Sequence, residues 1–321
     1  TALEALLNIP LCVGSGEELQ RPAEDIGPFL RMLHQLRNLR QLTVYNLAPL
    51  SPANQEALIA ALAPLETLGL GFAGSSLAPL LPELLSRNTN LASLELNGLA
   101  NEEALAGPYP QLRHFKNNLK LIKDANGNLK GAFHDLHPLQ TAFPQLEKLE
   151  LEKESGTAMG SSSVTPWTSL RSLKLNGDCQ NSNGISGTLQ LGQILAPLNH
   201  LEQLVLSCAN DAYGQTDYAP LARLTGLTKI CLKCSRNNSS AISQQLLQQL
   251  GTQMAQLRSL SLECINSSLL QAISTHFRHL QALRIFHQNN SSYYPQYHIQ
   301  LQPTETLQAL GNHLLRLERL S

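Results

Sequence analysis

The chain has 321 residues, 42% of them hydrophobic but only 5% aromatic, so any core it builds is aliphatic. Its 23 Lys and Arg nearly cancel its 24 Asp and Glu, which leaves no global field to draw it to nucleic acid or to an anionic membrane surface. No apolar run approaches the roughly 18–20 residues that a transmembrane helix needs, so no membrane span is expected.

Taken in order, the chain repeats one phrase. Leu3-x-x-Leu6 reads as an extended segment, and Asp25 to Leu36 as a helix with Phe29, Leu30, Leu33 and Leu36 at helical spacing. Leu39-Arg-Gln-Leu42-Thr-Val44 is the second strand. Ser51-Pro52 opens a helix, with Ser51 as N-cap, Pro52 in the first turn, and Leu58, Ala61 and Leu62 as the expected inward stripe. A third strand, Leu65-x-x-Leu68-x-Leu70, is followed by a leucine-rich helix near 77–87. Leu91-Ala-Ser-Leu94-Glu-Leu96 comes next, then a degenerate copy, Leu112-x-x-Phe115. Further copies begin at Leu146, Leu170, Leu201, Leu227, Leu257, Leu280 and Leu317, with helices expected over 241–253, 268–277 and 304–315.

In L-x-x-L-x-L the last two leucines are two residues apart, so an extended chain points both to one face and the polar residues between them to the other. A single strand cannot shield its leucines. Stacking one unit on the next recovers roughly 1.5–3 kcal/mol per fully buried leucine, which predicts a solenoid. The phrase resembles that of the leucine-rich repeat superfamily. The spacings of 21 to 37 residues are similar to the irregular repeats of ribonuclease inhibitor and of F-box adaptors. The resemblance implies an α/β horseshoe with a concave parallel β-sheet and convex helices. We expect one array of about 11–12 repeats over residues 1–321, as a piece of a longer chain.

Two repeats carry insertions. Residues 113–145 form a long repeat in which Asn126-Gly127, between alternating apolar residues, predicts a projecting β-hairpin; Arg113, Lys116, Lys120, Lys123 and Lys130 make it basic. Residues 286–303 hold Tyr293, Tyr294 and Tyr297, a residue type suited to binding hot spots. The mid-strand outward column runs Thr43, Gly69, Glu95, Lys116, Glu150, Lys174, Val205, Cys231, Ser261, Arg284, and its middle alternates in sign.

Metal and cofactor signals are weak. Cys231-x-x-Cys234 has no second pair, His134-x-x-His137 and His276-x-x-His279 are isolated, and Asp124-x-Asn126-x-Asn128 lacks the glycine and glutamate of a calcium loop. The six cysteines read as reduced thiols. Asn210, Asn237, Asn266 and Asn289 lie nine or ten residues after the first leucine of their repeats, and the resemblance implies for them an asparagine ladder between turns. No nucleophile elbow, phosphate loop or zinc-protease motif occurs, so no enzyme activity and no cofactor are expected.

The expectation is a non-catalytic protein-protein interaction module. Its candidate partner-binding residues are Glu95, Lys116, Glu150, Lys174, Arg284, Lys120, Lys123, Tyr293, Tyr294 and Tyr297, with a protein as partner and no nucleic acid. Two settings fit. One is a cytoplasmic ubiquitin-ligase substrate adaptor; the other is a bacterial effector acting on host proteins in the host cytoplasm. The alternative is the targeting region of a multidomain enzyme.

Overall fold

The computed structural model describes residues 5–10, 27–36, 38–47, 50–72, 80–97, 105, 107–119, 122–123, 129–130, 137–153, 167–177, 195–208, 219–234, 242–263, 267–286 and 319–320. The chain divides into two compact units, residues 1–154 and 155–321. In the first, parallel strands follow in sequence order: β1 (Ala5–Pro10), β2 (Gln41–Leu47), β3 (Thr67–Phe72), β4 (Ser93–Asn97), β5 (His114–Leu119) and, after the antiparallel pair β6 (Ile122–Lys123) and β7 (Leu129–Lys130), β8 (Lys148–Lys153). The second continues the scheme with β9 (Ser172–Gly177), β10 (Gln203–Cys208), β11 (Lys229–Cys234), β12 (Ser259–Glu263), β13 (Ala282–Phe286) and β14 (Arg319–Leu320).

The leucine phrase sets the register. Leu42, Leu68, Leu94, Phe115 and Leu149 face one another across the first unit, and Leu173, Leu204, Ile230, Leu260 and Leu283 across the second. None of these ten is more than 1% exposed. A slip of one residue would turn each leucine row to water, so burial locks the register. The degenerate repeat departs once, where Asn117, fully buried, stands in β5 at the place leucine fills in β4 and β8.

Two backbone devices recur beside the strands. The amide of each first leucine donates to the carbonyl three residues back, closing a turn ten times over: Leu39 to Leu36, Leu65 to Leu62, Leu91 to Asn88, Leu112 to Tyr109, Leu146 to Phe143, Leu170 to Trp167, Leu201 to Leu198, Leu227 to Leu224, Leu257 to Met254 and Leu280 to Phe277, all at 2.9–3.4 Å. The residue after that leucine then offers its carbonyl to two successive amides of the next repeat, as Arg40 does to Glu66 and Thr67 at 2.8 and 3.0 Å. These bonds satisfy backbone groups at the bend, where neither helix nor sheet would.

The outer segments are helical: α1 (Gly27–Gln35), α2 (Pro52–Leu62), α3 (Leu81–Arg87) and α4 (His137–Ala142) in the first unit, and α5 (Gln244–Gln253) and α6 (Ser267–His276) in the second. Ser51 Oγ accepts the Asn54 amide at 3.4 Å to cap α2, and Ser243 Oγ accepts the Leu246 amide at 3.0 Å to cap α5. The inward stripe of α2 differs from the expected one. Leu58, Ile59 and Leu62 are buried while Ala61 is half-exposed, because the larger isoleucine gains more by leaving water. The expected helix over 304–315 lies outside the described residues.

Helix and sheet meet over an aliphatic core. A small void of about 20 Å³ lies among Leu58, Ile59, Leu62, Leu70, Leu80, Leu81 and Leu84, with no polar lining. It is a packing gap, too small and too apolar for a ligand. Among the described residues, no helix is long and apolar enough to cross a membrane.

Candidate protein-recognition surface

Alternation along the strands leaves three rows of side chains on the face opposite the leucines. In the first unit the middle row is Thr43, Gly69, Glu95, Lys116 and Glu150, matched strand to strand. Lys116 Nζ lies 2.8 Å from Glu95 Oε1, and both side chains are about one-third exposed, 34% and 33%. Burial alone would lower the lysine pKa. The hydrogen bond and charge of Glu95, with the charges of Glu152 and Glu150, outweigh it and push the value up. Glu150 is drawn the other way, into a 2.6 Å contact with Lys148 Nζ on its own strand. In the adjoining row Asn118 Nδ2 donates to Asn97 Oδ1.

In the second unit the middle row is Lys174, Val205, Cys231, Ser261 and Arg284. Cys231 and Ser261 are buried, 8% and 6% exposed, and Cys231 is in no disulfide. The row is therefore a low, neutral floor with a cation at each end. Lys229 and Lys233 flank Cys231 on β11, two positions to either side.

Of the expected site residues, Glu95, Lys116 and Glu150 are brought into one row, and Lys174 and Arg284 end another. Lys123 lies on β6; Lys120, Tyr293, Tyr294 and Tyr297 fall outside the described residues, as do Asn210, Asn237, Asn266 and Asn289. The alternation in sign is carried by a bonded pair, Glu95 with Lys116, beside a second pair, Lys148 with Glu150. Lys148, Glu152, Asn97 and Asn118 were not singled out from the sequence, although each lies two residues from a middle-row position and so on the same face. Among the described residues no group of three or more His, Cys, Asp or Glu is placed to hold a metal ion. Cys231 and Cys234, three apart on one strand, occupy positions of opposite parity, which is not an arrangement for joint ligation.

The repeated phrase, the parallel register and the outer helices make this protein an α/β leucine-rich repeat solenoid. No protein-family model and no curated protein matches the sequence. Solved structures that resemble it include an internalin of Listeria monocytogenes, 18% identical over 85% of this chain and 71% of that one, with a TM-score of 0.44. They also include the leucine-rich repeat-containing protein LegL7 of Legionella pneumophila, 14% identical over 88% and 85%, TM-score 0.45. A leucine-rich repeat protein of Leptospira interrogans is 15% identical over 88% and 78%, TM-score 0.32.

Proposed function

We propose that the chain is a non-catalytic protein-recognition module whose outward strand face meets the partner, with the insertions at 113–145 and 286–303 adding to the contact. The observation that carries this reading is the Glu95–Lys116 pair, fixed at 2.8 Å in the middle of an accessible row. A rigid sheet that displays ordered charges of both signs supplies specificity through complementarity and rejects surfaces of the wrong pattern. An effector that binds host proteins and a ubiquitin-ligase adaptor would both use the face in this way.

Site-specific photo-crosslinking tests it. A photoreactive residue placed at Ser93 or Gln203, on the strand face, should give a discrete crosslinked species in lysate. The same residue at Glu56 or Gln248, exposed on α2 and α5, should not. Crosslinks from the helix positions alone, or from none of the four, would remove the reading.

A further inference from the structure

The near-neutral total conceals a polarity. Residues 1–154 carry 12 Lys and Arg against 17 Asp and Glu, a formal charge of −5; residues 155–321 carry 11 against 7, a charge of +4. In the second unit the excess is concentrated on the strand face. Its three outward rows on β9 to β13 hold Lys174, Lys229, Lys233 and Arg284, with Glu263 as the one acidic residue at those fifteen positions. The corresponding rows on β4, β5 and β8 of the first unit hold Glu95, Glu150 and Glu152 against Lys116 and Lys148.

Register gives the four cations a layout. Lys174 and Arg284 stand four strands apart in one row, roughly 19 Å at the usual strand separation. Lys229 and Lys233 stand four residues apart on the central strand, about 13 Å along it. Between them lie Val205, Cys231 and Ser261, small and uncharged, the last two buried. The span from Lys174 to Arg284 matches the length of an extended segment of about six residues.

We propose that the outward strand face of the second unit is a docking surface for an acidic peptide segment of a protein partner. The proposal rests on the reading of the strand face as a protein-binding surface and specifies its chemistry. Charge complementarity selects the occupant: the rows hold four cations against one carboxylate, an excess that attracts an anionic segment and repels a basic one. The attraction acts over a Debye length of about 8 Å at physiological salt, so it governs docking of a segment laid on the sheet and falls as salt rises.

The test uses the whole 321-residue chain and a fluorescein-labelled octapeptide of alternating Glu and Ser, read by fluorescence anisotropy, with the Gln-for-Glu peptide and an oligouridylate of equal charge as competitors. The expected result is binding of the acidic peptide that weakens at least tenfold in the Lys229→Glu/Lys233→Glu variant. It should change less than twofold in Arg223→Glu/Arg278→Glu, which reverses two exposed cations of the same unit away from the strand rows. Should the charge reversal disturb folding, as judged by circular dichroism, Lys229→Gln/Lys233→Gln provides the readout, with a loss of at least threefold. Equal loss in both double variants would show diffuse attraction and overturn the proposal. Displacement by oligouridylate at lower concentration than by unlabelled peptide would overturn it in favour of a nucleic-acid surface. Absence of acidic-peptide binding, with strand-face crosslinks from Ser93 and Gln203 intact, would remove this inference and leave the broader reading standing.

Discussion

Asn88 donates its side-chain amide to the carbonyl oxygen of Leu62, one repeat earlier, at 2.9 Å. It also accepts the Asn90 amide at 3.2 Å, and Gln111 Nε2 from the following repeat reaches the carbonyls of Leu85 and Asn88 at 3.0 and 3.2 Å. Three successive repeats are thus tied by side-chain amides at the bend before the strand. Asn88 is only 1% exposed, so water cannot replace what it supplies.

Asn88→Ala should therefore cost about 1–3 kcal/mol, the loss of two side-chain hydrogen bonds, of which the one to the Leu62 carbonyl is buried. Arg171→Ala is the contrast. Arg171 also bridges repeats, to the His200 carbonyl at 3.2 Å and to Glu202 at 3.9 Å, but both side chains are about half exposed. Its cost should stay below about 1 kcal/mol. Denaturant midpoints of the two variants check the order; a cost at Arg171 equal to that at Asn88 would refute it.

Lys116 gives a pH prediction. Its folded pKa is raised, so the stability it contributes is fully present below the unfolded lysine value near 10.4 and is lost as pH rises through the higher folded value. Lys116→Met should be less stable than the parent at pH 7, by under about 1 kcal/mol because the group is one-third exposed, and the difference should fade in strongly alkaline solution. In NMR titration of the Lys116 ε-carbon, Glu95→Gln should lower the pKa, since Glu95 supplies both the hydrogen bond and the largest favourable charge. An unmoved titration curve would mean that the pair does not form in solution.

Much of this fold was legible from the leucines, because a period of two within the strand and recurrence between repeats leave a single register that buries every row. The turn before each strand was equally legible and went unread. Phe143-Pro-Gln-Leu146, Trp167-Thr-Ser-Leu170 and Phe277-Arg-His-Leu280 all place an apolar residue three before the first leucine, and that residue is buried. Asn88 occupies this position as an amide, and only the neighbouring repeat shows why, since its acceptor is 26 residues away in the chain. The charge polarity of the two units was hidden by summing over the whole sequence. The buried Asn117 has no signal at all in its own strand, where the degenerate phrase simply stops matching.

Gly251 tests how tightly the outer layer packs. A Cβ built there would lie 2.5 Å from His276 Cβ and 2.9 Å from the His276 carbonyl oxygen, at the end of α6. Alanine favours a helix by about 1 kcal/mol over glycine, so propensity alone predicts stabilisation. The clash includes backbone, which cannot swing aside, and separating the helices should cost about 1–3 kcal/mol. Gly251→Ala should therefore be destabilising on balance. A raised thermal midpoint would mean that α5 and α6 lie further apart than found here.

Gly69 offers a sharper version on the strand face, since its obstacle is a side chain. A Cβ at Gly69 would meet Thr43 Cγ2 at 2.7 Å, Oγ1 at 2.9 Å and Cβ at 3.2 Å, on the in-register residue of the neighbouring strand. Threonine, branched at Cβ, cannot rotate both branches away. Gly69→Ala should thus cost about 1–2 kcal/mol in the parent. In a Thr43→Ala background the two close branch contacts vanish and only the 3.2 Å approach remains, so the cost should shrink to a few tenths. In a Thr43→Gly background it should disappear, and the alanine should then stabilise the strand, as it does wherever it replaces glycine without strain. This graded response, measured by thermal unfolding of the six proteins, follows only if Thr43 lies over the glycine. Equal cost in all three backgrounds would place the constraint in the β3 backbone instead.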